Sequence, residues 1–186
     1  ALGDIRLLAT YTGLSHDMST GLTFGVKVPS GDWKYGGFDR DTSIGSGSTD
    51  IVVGGYHVGA LSKDGEWGYF IQGQYQRAVA TQGGYRPGDE FDGDIGISHP
   101  VWSSRDGNAK LSPVVQLIGS VRARDSGIES NRPSSGYQRL LISPGIQLEA
   151  GKWRFYGDVE FPIYQNVNGN QLTAPALFKV MLSRRF

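Results

Sequence analysis

The sequence predicts an all-β chain, folded as an antiparallel up-and-down barrel. Three observations carry this: a glycine content that defeats helices, nine segments of period-two alternation, and tight turns that gather at one end of the strands. Gly is 28 of 186 residues, roughly twice the usual share of ~7%, and each one inside a helix costs ~1 kcal/mol against Ala. Only residues 108–118, 158–168 and 170–186 run eleven residues or more without Gly, and each holds a Pro.

The strands follow in order. Residues 3–11 place Ile5, Leu7, Ala9 and Tyr11 against Asp4, Arg6, Leu8 and Thr10. Residues 21–28 place Leu22, Phe24, Val26 and Val28 against Thr23, Gly25 and Lys27. In residues 50–61 the faces compete, Ile51 and Val53 against Val52, Tyr56 and Val58. Residues 67–79 set Trp67, Tyr69, Ile71 and Tyr75 against Gln72, Gln74 and Gln76, and residues 90–101 set Phe91, Ile95, Ile97 and Val101 against Asp92, Asp94 and Ser98. Residues 110–124 oppose Leu111, Val115, Leu117 and Val121 to Gln116, Ser120, Arg122 and Arg124. Residues 137–149 oppose Leu140, Ile142, Ile146 and Leu148 to Arg139, Ser143, Gln147 and Glu149. Residues 153–167 oppose Trp153, Phe155, Val159, Phe161 and Ile163 to Arg154, Tyr156, Asp158, Glu160 and Tyr164. The last segment, 172–186, opposes Leu172, Phe178, Val180 and Leu182 to Thr173, Lys179, Ser183 and Arg185. Such alternation is the mark of half-buried strands.

Asp64-Gly65, Asp106-Gly107 and Gly151-Lys152 are tight-turn pairs, whereas 29–49, 80–89 and 125–135 are long connections. Antiparallel neighbours alternate ends, so the two kinds separate. Short turns on one side and long loops on the other are the asymmetry of an outer-membrane barrel. No run of ~20 apolar residues marks a transmembrane helix. Residues 1–186 read as one domain, and no leader peptide stands at Ala1.

Alternation alone leaves open which face is inside, because a lipocalin-like barrel turns its apolar face inward and a membrane barrel turns it to lipid. Three features favour lipid. The polar face carries charges of both signs, with Arg twice as frequent as Lys, which suits enclosed pairing. The apolar-face aromatics Trp67, Tyr69, Trp153, Phe155 and Phe186 crowd strand ends, where a membrane barrel has its interfaces. Finally, Phe186 follows Phe178, Val180 and Leu182 on one face. That pattern resembles the C-terminal signature of bacterial outer-membrane proteins, which implies reading by the barrel-insertion machinery; Arg184 departs from it.

The segments GLTFGVKVPSGD (21–32), GSTDI (47–51), PVVQL (113–117), SPGIQL (143–148) and PIYQNVNGNQL (162–172) resemble the bacterial outer-membrane transporter family named for the MetA pathway of phenol degradation. The resemblance implies a monomeric barrel for uptake of hydrophobic or aromatic compounds and supplies no site residues. It also implies more strands than nine, about 10–12. An odd count leaves the two termini at opposite ends, against the even strand numbers of such barrels. The expectation is that N-terminal strands precede these nine, or that another protein chain supplies or covers them.

The functional expectation is an outer-membrane channel for small solutes. Its lumen is lined by Arg122, Arg124, Arg139, Arg154, Asp158, Glu160 and Lys179, and the lipid bilayer and a small-molecule solute are its partners. A closed structural barrel anchoring a partner, and a soluble lipocalin-like binder, are the alternatives. Eighteen acidic against eighteen basic residues argue against a nucleic-acid surface. No Cys is present for thiol or Cys-zinc chemistry. His16, His57 and His99 lack the Ser, Asp or metal spacing of a catalytic or metal centre, and His57 is expected to face the lumen. No enzyme activity, cofactor or metal is expected. The acidic group Asp89, Glu90, Asp92 and Asp94 reads either as a cation site at the mouth or as partner to Arg122, Arg124 and Arg139.

Overall fold

The computed structural model describes residues 2–34, 36 and 40–185, with only the backbone of Asp41. It contains β1 (Ile5–Tyr11), β2 (Thr20–Val28), β3 (Ser48–Ala60), β4 (Gly68–Thr81), β5 (Glu90–Ser98), β6 (Trp102–Ser103), β7 (Ala109–Arg122), β8 (Tyr137–Ala150), β9 (Trp153–Val167) and β10 (Leu177–Arg184). They form one antiparallel sheet in the order β1-β2-β3-β4-β5-β7-β8-β9-β10, with the two-residue β6 paired to β7. The sheet is an open, curled half-barrel.

The curl is visible in side chains that skip a strand. Gln116 of β7 donates to Asp158 of β9 at 2.8 Å, and Tyr137 of β8 donates to Glu90 of β5 across β7. Alternate strands of a flat sheet lie ~10 Å apart, so such bonds require a concave surface. Glycine shapes that surface. Gly55, Gly73, Gly93 and Gly119 occupy one register row across β3, β4, β5 and β7 on the convex side, where a Cβ added at Gly73 or Gly93 would come 3.5 or 3.3 Å from the Phe91 ring. Inside, Tyr56 lies against Gly21, Leu8 against Gly25 and Phe70 against Gly96, so absent side chains make room for large ones.

The predicted strands are present with four corrections. The fifth segment breaks at Pro100 into β5 and β6, since Pro cannot donate to the ladder. The sixth ends at Arg122, which leaves Arg124 in the connection to β8. The ninth begins at Leu177, after Pro175, and Leu172 is fully exposed. In β9 the register shifts beside Leu140/Leu141, so Ile163 is the extra residue of a bulge. Tyr164 therefore pairs with Leu140 and joins the apolar face instead of the polar one.

The competing faces of β3 also resolve: Val52 is buried in the concavity, while Ile51 and Val53 are exposed outside. His57 follows the outer parity. It stands on the convex face between the Thr20 hydroxyl at 2.8 Å and the Tyr69 hydroxyl at 3.0 Å, not in the lumen.

Two of the tight turns repeat one design. Ser62 donates to Asp64, and Asp64 accepts the Glu66 N–H at 3.1 Å. Ser104 donates to Asp106 at 2.5 Å, and Asp106 accepts the Asn108 N–H at 3.2 Å. In each the Ser hydroxyl then takes the N–H of the residue five positions on, Trp67 just before β4 or Ala109 at the start of β7. Gly65 and Gly107 have φ of +74° and +70°, positions where a Cβ would strain the turn. Neighbouring loops at the other end are laced together. Arg40 donates to the Gln82 carbonyl, Arg86 and Ser126 exchange backbone bonds, and Asn168 donates to the carbonyls of Ser135 and Gly136.

Candidate functional site

Burial in this sheet is inverted. Among the described residues the buried hydrophobics are Val52, Ala78, Tyr85, Val114 and Leu141, while eleven buried residues are polar or charged, Lys27, Asp50, Asp125, Asp158 and Glu160 among them. The convex face carries the large apolar side chains. One register row runs His57–Ile71–Ile95–Leu117–Ile142–Phe161 across six strands. The row is exposed along its length, from Ile71 to Phe161, an apolar surface larger than single scattered side chains.

The concave face holds two charged clusters. Toward the long loops, Lys27 Nζ lies 2.7 Å from Asp50 and 3.7 Å from Asp4. Asp50 also accepts from Ser48 at 2.6 Å and Gln76 at 2.5 Å. Arg122 pairs with Asp125 at 2.9 Å, and Asp125 also receives the Tyr85 hydroxyl at 2.7 Å and the Gly88 N–H at 2.8 Å. Midway down the wall, Asp158 accepts from Gln116 and, at 2.6 Å, from Tyr156. Lys179 lies 2.8 Å from Glu160 and 3.9 Å from Asp158.

The seven expected lumen residues therefore separate. Asp158, Glu160 and Lys179 form one cluster, and Arg122 belongs to the other. The Arg139 guanidinium sits 4.0 Å over the Tyr137 ring. Arg154 pairs with Glu149 at 2.8 Å at the tight-turn end. Arg124 lies outside the strands, exposed, on the Asn168 side chain at 3.0 Å. Asp92 and Asp94 bond Ser120 at 2.6 Å and Gln72 at 2.7 Å instead of the arginines. Sequence reasoning missed Lys27, Asp50 and Asp125 as a group. Their signal is three charges on residues whose neighbours two positions away are small or apolar.

The expected interface aromatics gather on the convex face at the tight-turn end. Trp67 stacks on His99, with centroids 4.6 Å apart. Tyr69 bonds His57, Trp153 lies beneath the Arg184 guanidinium, and Phe155 is exposed. Phe186 lies outside the described residues. Toward the loop end Phe91 and Tyr164 are exposed, and Tyr75 donates to Asp89 at 2.7 Å.

The turn carboxylates are strongly held. Hydrogen bonds from the Ser104 hydroxyl, then from the Asn108 side chain and N–H, bring the Asp106 carboxyl down to about 2. The Ser62 hydroxyl, then the Glu66 N–H, lower Asp64 in the same sense.

No family model and no curated protein matches the chain.

Proposed function

We propose that this chain forms most of the wall of a bacterial outer-membrane β-barrel, a passive channel for small solutes. One observation carries the reading: the polar and charged side chains are buried in the concavity while Leu, Ile, Val and Phe cover the convex face. In water that arrangement leaves the apolar face without a partner; in lipid it is the expected one. Strands of fourteen residues such as β4, β7 and β8 exceed the ~9–11 needed for a tilted crossing. Aromatic rings at both ends of the apolar face support the same orientation.

The bilayer requires paired strand edges, so further strands join β1 and β10. Those two strands run in the same direction, each from the long-loop end toward the tight turns. Antiparallel closure therefore takes an odd number of added strands. In this reading the two concave clusters set which solute charge passes, and the solute class that the resemblance suggests is aromatic or hydrophobic.

A second reading, a closed barrel anchoring a partner, draws support from the side-chain bonds that bridge the concavity at Gln116–Asp158 and Glu90–Tyr137. Conductance across a planar lipid bilayer separates the two. Stepwise current on insertion is expected; a membrane that stays sealed after verified insertion overturns the channel.

A further inference from the structure

We propose that the loop end of the concave face binds a small oxyanion, the carboxylate or phosphate group of a dissolved solute, through Arg6, Arg40, Arg122 and Ser43. The inference rests on the channel reading only for the route by which the solute arrives.

These four residues line a cavity of about 280 Å3 that also meets Asp4, Lys27 and Glu90. The protein already provides for the carboxylates. Asp4 accepts the Ser46 hydroxyl at 2.7 Å, the Ser46 N–H at 2.9 Å and the Gly31 N–H at 3.0 Å. Glu90 receives the Tyr137 hydroxyl. Lys27 is held between Asp4 and Asp50, and Arg122 uses Nη2 on Asp125. Arg6 and Arg40 remain: among the described residues neither pairs with a carboxylate. Arg40 is nonetheless fixed in place. It donates to the carbonyls of Trp33, Ser46 and Gln82 and lies over the rings of Trp33 and Tyr85 at 4.4 and 5.0 Å.

A second observation converges on the same cavity. Arg40 Nε, Ser43 Oγ and Arg122 Nε are buried without a hydrogen-bond partner, three of the seven such side-chain atoms among the described residues. Buried polar atoms are normally satisfied, and an orphan calls for an ion or water. Two of the three are obligate donors and the third can donate, so what is missing is an acceptor. Two cations without carboxylate partners among the described residues make a negatively charged acceptor the better complement, since guanidinium bonds to oxyanions are charge-assisted. The same arginines exclude a metal cation.

Calorimetry on the whole chain in detergent micelles tests this, with inorganic phosphate and acetate titrated at constant ionic strength in chloride. Saturable one-to-one heat is expected. Arg6→Gln and Arg40→Gln should each weaken binding about tenfold, the scale of one charged hydrogen bond, while the turn variant Lys63→Gln binds like the parent. Arg6 is exposed, so its variant should keep the fold intact; near-ultraviolet circular dichroism verifies it. Absence of saturable heat from both anions overturns the site, as does binding by the Arg6 and Arg40 variants as tight as the parent's. Saturable binding by a protein that passes no current in a planar bilayer leaves the site standing and removes the channel reading. Current without anion binding does the reverse.

Discussion

Lys27 Nζ sits 2.7 Å from Asp50 Oδ2, with the two side chains only 7% and 2% exposed. A pair this enclosed is held in place by what removing one partner would leave behind. Lys27→Ala strands a buried carboxylate and should cost ~3–5 kcal/mol of unfolding free energy, while the double variant Lys27→Met/Asp50→Leu should recover most of it. Urea unfolding in detergent micelles checks both. A double variant as unstable as the single one would show that Ser48 and Gln76, which also bond Asp50, depend on the charge.

Gly127 makes a different kind of contact. Its φ is +102°, and a Cβ there would lie 2.0 Å from the Gly84 carbonyl oxygen. That approach lets Arg86 and Ser126 exchange backbone bonds at 2.8 and 2.9 Å and join two loops. Gly127→Ala should cost ~1–3 kcal/mol, borne by the loops and not by the wall. Trypsin should then cut faster after Arg124, the bond that Asp125 follows, while β-sheet circular dichroism is unchanged. Equal cleavage rates in parent and variant would disprove the lacing.

Asp106 gives a pH dependence whose sign is fixed. Its carboxyl is lowered from 3.8 to about 2 by Ser104 and Asn108, so the folded turn favours the ionised form. Stability from this group is present above 3.8, and it is lost as pH falls toward 2. Ser104→Ala removes the largest contributor and should move the carboxyl's NMR titration midpoint upward toward 3.8. An unmoved midpoint would place the cause elsewhere.

Period-two alternation made the strands legible because one face is apolar and the other polar along most of β4, β7, β8 and β9. It failed where that contrast is missing. In β3, Ile51, Val52 and Val53 are apolar on both faces and Gly54-Gly55 carry no side chains, so the side chosen for His57 had no local basis. It failed again at Tyr164, because a one-residue bulge at Ile163 exchanges the faces beyond it. The concave clusters were half legible. Asp158, Glu160 and Lys179 follow from register, since Lys179 faces Asp158 across β9 and β10. Contacts that skip a strand, such as Gln116–Asp158, depend on curvature, which alternation does not encode. The shared Ser-x-Asp-Gly spacing at residues 62–65 and 104–107 was readable as a repeated turn.

Leu117 offers the sharpest test of what covers the convex face. It lies at mid-wall, 40% exposed, between Ile95 and Ile142 in register. If the face meets lipid, Leu117→Arg places a guanidinium in hydrocarbon and should cost ~2–4 kcal/mol near the midplane. A surface substitution in water is ordinarily within ~0.5 kcal/mol. Gln116→Leu on the neighbouring concave position should behave differently, since it removes a donor to Asp158 without touching lipid. Reversible unfolding from vesicles, followed by tryptophan fluorescence, measures both. A Leu117→Arg variant as stable as the parent would mean that water, not lipid, lies against this row.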